Sequence, residues 1–171
     1  MFHLFPAWTG LHPVVVHFPV ILLLIAPLLV ILGAVLPEAR RRPFLASALT
    51  LMVLGTSITY LAVATGESAM KFTPPAPAVT ALLEEHRSLA EATRELFSVL
   101  TLAFAALLLA HGLLRRELDS WVRTSLFAAF LLFYGTGALL LVNTALKGGR
   151  LVQLLGARRA VTRNLPSKGK R

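Results

Sequence analysis

The chain has 171 residues, of which 56% are hydrophobic and only 15% charged, with a formal net charge of +9 and no cysteine. A soluble domain is usually nearer half apolar and about a quarter charged, and here the apolar residues fall into four long blocks separated by short charged stretches, the pattern of lipid-spanning helices. The missing cysteines exclude disulfides, thiolate-held iron–sulfur clusters, a cysteine-based zinc site, a cysteine nucleophile and covalent c-type haem attachment, so any cofactor falls to His, Asp, Glu, Met or backbone groups.

The first block, Pro13 to Leu36, predicts a helix of roughly 35 Å, long enough to cross a bilayer. Pro13 suits a first helical position. Pro19 and Pro27 lie inside, where each frees a carbonyl one turn back that a neighbouring group must satisfy. Pro37 and the run Arg40-Arg41-Arg42-Pro43 are expected to end the segment. No Lys or Arg precedes this block, and it exceeds the length of a signal-peptide core, so a cleaved leader is not expected.

The second helix is expected over Phe44 to Thr65, rich in small and hydroxyl residues that let backbones approach in lipid. Gly66 to Ala78, with Glu67, Lys71 and three prolines, reads as a loop. From Val79 to Glu95 an amphipathic stretch precedes the third span, with His86 on its apolar stripe. The third span covers Leu96 to Leu114, stopped by Arg115-Arg116-Glu117, with His111 near its end as a headgroup residue. The fourth covers Trp121 to Leu146, with Trp121 as interfacial anchor. Lys147-Gly148-Gly149-Arg150 is expected to end it, leaving residues 1–150 as one membrane domain and 151–171 as a basic tail. The fold class is therefore all-α membrane: a four-transmembrane-helix up-down bundle with an amphipathic extension before the third span. The two hairpins show no convincing sequence repeat.

Four spans place both termini on one side, side A, with the loop between the second and third helices. Side B carries the short loops with Arg40, Arg41, Arg42, Arg115, Arg116 and Arg123. Arginines after the first helix and none before it argue for side B as cytoplasmic and extracytoplasmic termini. Against this, eight of the 17 Lys and Arg lie on side A from Lys147 onward. Basic residues at block ends and in the tail meet anionic headgroups, so a nucleic-acid partner is not expected.

Up-down threading brings His12, His17, Glu67, His86 and the Gly148-Gly149-Arg150 turn to side A. His17, an ionisable residue within an apolar span, is a functional candidate by its position. It can equally donate to a proline-freed carbonyl. His12 can be a helix-start residue, His86 a satisfied buried imidazole, and Glu67 a solvated carboxylate. His12 and His17 stand about 140° apart around a regular helix, so one metal needs ligands from different helices.

The stretch His12-Pro13-Val14-Val15-Val16-His17-Phe18-Pro19 resembles the opening signature of a prokaryotic membrane family, the domain of unknown function 2231. So do Thr65-Gly66-Glu67, Leu83-Glu84-Glu85-His86 and Gly148-Gly149-Arg150-Leu151-Val152, in order at the right helix ends. The resemblance implies a four-helix unit in a prokaryotic inner membrane, some relatives being joined to cytochrome c-like or Rieske-type domains. It thus implies a redox setting with b-type haem on His17 and His86, and other membrane subunits or a cytochrome or Rieske-type protein as partner. One departure stands out: the family pattern continues with an aromatic residue and a His before Gly, whereas this chain reads Gln153-Leu154-Leu155-Gly156.

Depth opposes the pair of His17 and His86. His86 lies about 15 Å beyond the third span and His17 about 5 Å inside the first, so with upright helices either the third helix is buried there by partners or loop, or the ligands are His12 and His86 at the interface. Three readings stay open: a haem-binding or electron-transfer subunit, with Glu67 or a backbone carbonyl orienting a ring; a non-catalytic scaffold with structural histidines; and a metal- or proton-handling subunit, against which no span carries a central Asp or Glu. Hydrolase and phosphate-loop motifs are missing, so enzymatic activity is not expected.

Overall fold

The computed structural model describes residues 10–71, 76–113 and 119–164, with the side chains of 111–113 and 158–164 set aside. The His111 side chain and the Arg115-Arg116-Glu117 stop lie outside what is described. The described residues are almost wholly helical, with no strand among them. In chain order the elements are α1 (His12–Val15), α2 (His17–Val35), α3 (Glu38–Met70), α4 (Pro77–Leu113) and α5 (Ser120–Asn164). Four spans are long and apolar enough to cross a membrane: His12–Val35, which joins α1 to α2, then one each in α3, α4 and α5. Neighbours in sequence pack side by side, and α5 closes the ring against α2, so α2 lies diagonal to α4 and α3 diagonal to α5. That is the expected up-down bundle.

The helices are longer than the sequence suggested. Arg40, Arg41, Arg42 and Pro43 do not end the first segment. They form the opening turns of α3, after a sharp link in which Leu36 and Pro37 are extended (ψ 151° at both). Pro43 is the sixth residue of α3 and lies inside it, where its missing N–H deprives the Ala39 carbonyl of its usual helical donor while the helix runs on through it. At the other end α3 continues to Met70, absorbing Thr65, Gly66 and Glu67 that were expected at its end or in a loop. The amphipathic stretch and the third span are one helix, α4. Nor do Gly148 and Gly149 stop the fourth helix, which runs unbroken past residue 150 to Asn164. A helical glycine costs about 1 kcal/mol against alanine, and packing beyond it, such as buried Leu151, offsets that here.

The core follows the helical period. In α5 the buried positions Phe127, Phe130, Tyr134, Gly137, Leu141, Thr144 and Leu151 form one stripe. Phe97 and Tyr134 meet edge to face at 5.3 Å, and Phe104 stacks on Phe130 at 4.8 Å, so aromatic rings fill the seam between α4 and α5. The seam between α2 and α3 is built on glycine instead: a Cβ on Gly55 would stand 2.7 Å from Leu23 Cγ, and one on Gly33 would collide with Leu45. Close approach is what small residues provide in lipid. Threonine pairs add polar stitches, Thr56 to Thr101 between α3 and α4 at 2.8 Å and Thr93 to Thr144 between α4 and α5 at 2.9 Å.

Pro27 leaves α2 unbroken. Its missing N–H would have bonded the Leu23 carbonyl, and the Tyr134 hydroxyl donates to that oxygen at 2.7 Å. The carbonyl that proline frees is thus satisfied from the opposite hairpin.

Candidate functional site

At the side A end of the bundle, two imidazoles meet. His12 opens α1 and His86 lies in the first half of α4; their ring centres are 6.3 Å apart and their planes nearly perpendicular. Both rings are half-buried. The His12 Nδ1–H donates to the Ala62 carbonyl at 2.9 Å, with the Thr65 hydroxyl oxygen 3.3 Å away. The His86 Nδ1–H donates to the Thr144 carbonyl at 3.0 Å. A carbonyl only accepts, so the proton sits on Nδ1 of each ring and each Nε2 keeps a free lone pair.

The seats of the two rings are equivalent. Four residues beyond Ala62 on α3 stands Gly66, and four residues beyond Thr144 on α5 stands Gly148, one turn along the same helix face. A Cβ on Gly66 would lie 3.0 Å from His12 Cε1, and one on Gly148 would lie 3.0 Å from His86 Cε1. In each hairpin, then, the first helix sends a histidine onto a carbonyl and a glycine of the second. Thr65 is fully buried and returns its own hydroxyl proton to the Leu61 and Ala62 carbonyls, each at 2.9 Å, which leaves its oxygen to face the His12 N–H.

Charged residues ring this end. Arg87 pairs with Glu91 at 2.9 Å and lies 3.8 Å from Glu67, while Lys147 pairs with Glu85. These pairs are largely exposed and add little stability. They tie α3 to α4 and α4 to α5 around the imidazoles.

Of the four residues expected to bind a cofactor, the structure brings together His12 and His86. His17 is exposed on the outer face, at the start of α2. Glu67 faces Arg87, and the acceptors that orient the two rings are backbone carbonyls. Leu155, at the point where the chain departs from the motif it resembles, is half-buried in α5. What sequence reasoning did not foresee is the part played by Ala62, Thr144, Gly66 and Gly148. The available signal was a glycine one turn after a small residue on each even-numbered span.

Among the described residues no group of three or more His, Cys, Asp or Glu side chains is placed to hold a metal ion. The described site is a pair of imidazole donors. Neither a curated protein nor a solved structure matches the chain. A family model described as a predicted membrane protein, DUF2231, matches residues 9–160 and takes in all four spans and both seated histidines, and the chain belongs to that family.

Proposed function

We propose that this protein is an integral-membrane subunit of a redox complex, holding a b-type haem between His12 and His86. The supporting observation is the pair of imidazoles from diagonal helices, each anchored through Nδ1 with its Nε2 free. Histidines that ligate metals almost always donate their other ring N–H in this way, which fixes tautomer and ring orientation. A metal ion bound between two imidazoles on opposite sides, at about 2 Å from each nitrogen, sets the ring centres roughly 6 Å apart. The 6.3 Å separation fits that arrangement. A bare structural zinc ion wants four protein ligands. His12 and His86 would hold the group through their second ring nitrogens, and two protein donors would suit haem, which brings nitrogens of its own, better than a bare ion. Haem would supply one-electron transfer at the side A edge of the membrane. The chain's own part is to hold two neutral imidazoles at fixed height and orientation. The natural setting is the cytoplasmic membrane of a prokaryote, with extracytoplasmic termini and a cytochrome or Rieske-type protein or other membrane subunits as electron partner.

The test is an optical spectrum of the detergent-purified chain, expressed with ample haem, oxidised and then reduced with dithionite. A sharp Soret band with reducible α and β bands is expected. It should be lost in His12→Ala and in His86→Ala and kept in His17→Ala. A featureless spectrum at full haem supply sinks this reading.

One observation favours a second reading. Each imidazole fills a glycine seat and bonds a carbonyl of its partner helix, so the pair also serves as two interhelical latches. In a non-catalytic scaffold that role alone would suffice, and His12→Ala and His86→Ala would then loosen the hairpins without any loss of colour.

A further inference from the structure

The opposite end of the bundle, side B, holds a second polar feature. Arg41 is only 7% exposed, the one charged residue among the described residues buried to that degree. Its Nε–H donates to the Gly33 carbonyl at 3.0 Å and its Nη2–H to the Leu36 carbonyl at 3.3 Å, closing the last turn of α2. Nη1 has no hydrogen-bond partner among the described residues. The nearest carboxylate, on the mostly exposed Glu38, is 3.6 Å away, an ion pair too long for a hydrogen bond. A buried cation left with an unmet donor is costly unless something completes it.

A partly open cavity of about 30 Å³ adjoins this group, lined by Arg41, Arg123 and the apolar side chains of Leu45, Leu107, Leu108 and Phe127. Among the described residues no carboxylate lines it. Both arginines belong to the first turns of their helices, α3 and α5, so two helix N-termini reinforce the positive potential. Water in the cavity would satisfy an N–H but leave Arg41 with only its 3.6 Å pairing to the exposed Glu38, and Arg123 with no carboxylate among the described lining residues. An anion would meet both needs. The cavity has room for about two water-sized groups, which admits one anionic oxygen and leaves the rest of a headgroup at the mouth. At this end of the spans the abundant anions are lipid phosphates, and Leu126, which also lines the cavity and is 40% exposed, suits an acyl chain.

We propose that the Arg41–Arg123 cavity is a binding site for the phosphate group of an anionic phospholipid. A phosphate oxygen completes Arg41 Nη1, Arg123 holds the headgroup, and the chain lies along the leucines of α4 and α5. The site ties the turn between α2 and α3 to the start of α5 and is independent of the histidine pair.

Native mass spectrometry of the full chain in detergent tests this, with phosphatidylglycerol, phosphatidylcholine or inorganic phosphate added separately. Phosphatidylglycerol should be retained over phosphatidylcholine, and Arg123→Gln should cut that retention roughly fivefold, the effect of one basic residue at an anionic headgroup. Arg41→Gln should cut it further. That variant also loses the α2 cap, so Arg123→Gln is the deciding one. Arg40→Gln, on the exposed surface of the same end, should leave retention unchanged. Inorganic phosphate binding alone, lost in the same variant, would keep the phosphate site and replace the lipid as its source. Equal retention of both lipids, or an Arg123→Gln chain that behaves as the parent, overturns the proposal.

Discussion

Tyr134→Phe is expected to lower the stability of the bundle by about 1–2 kcal/mol, a large effect for the loss of one oxygen from a membrane interior. The hydroxyl donates to the Leu23 carbonyl, which Pro27 has deprived of its helical partner. Removing it leaves that carbonyl unsatisfied where no water can reach. The cause can be isolated by a cycle. Pro27→Ala restores an N–H to the same carbonyl, so in the Pro27→Ala background Tyr134→Phe should cost only a few tenths of a kcal/mol. Unfolding by detergent titration in all four combinations would measure the coupling. An equal cost in both backgrounds would mean that Tyr134 acts through its ring packing on Phe97 and Phe130, and not through its hydroxyl.

The second large effect concerns the histidine seats. Gly66→Val and Gly148→Val place branched side chains where His12 and His86 now stand, with Cβ itself already within 3.0 Å of each ring. The rings must leave their carbonyls, and each imidazole then loses the hydrogen bond that fixes its tautomer and orientation. Loss of such anchoring lowers metal affinity by about 10–100-fold, and a similar loss is expected in a haemin titration. Gly149→Val is the control, because nothing lies within 4 Å of its Cβ position. It bears the same helix penalty and should bind as the parent does. A second readout does not need haem: imidazole nitrogen NMR should show the Nδ1–H tautomer in the parent and in Gly149→Val, and lose it for His12 in Gly66→Val. If Gly66→Val and Gly149→Val bind haemin alike, the seats do not govern the site.

Much of the architecture was legible because the bilayer imposes simple rules. Four apolar blocks of the right length become four spans, and short connections make them antiparallel. Helix ends were less legible. Arg40 to Pro43 and Gly148-Gly149 look like stops, yet a stop signal is only a local preference. Arg41 earns its helical place by capping α2, and Gly148 by making room for His86. Of the candidate ligands, His86 was marked by its position on an apolar stripe, and the depth argument left His12 open beside His17. The shared seat was illegible, since it depends on backbone carbonyls, and these carry no residue identity. The symmetry between the hairpins is hidden in the sequence for the same reason: Ala62 and Thr144 differ as side chains but present the same oxygen.

That symmetry bears on how the molecule comes apart. Each histidine is latched within its own hairpin, so either hairpin can carry its ring fully oriented before meeting the other. The two rings come within 6.3 Å of each other only once the hairpins have docked. A ligand that takes both therefore binds the assembled state alone and shifts its equilibrium by mass action, by about 2.7 kcal/mol at a hundredfold excess over its dissociation constant. Were such a ligand bound, its occupancy and the docking of the two hairpins would become a single thermodynamic variable.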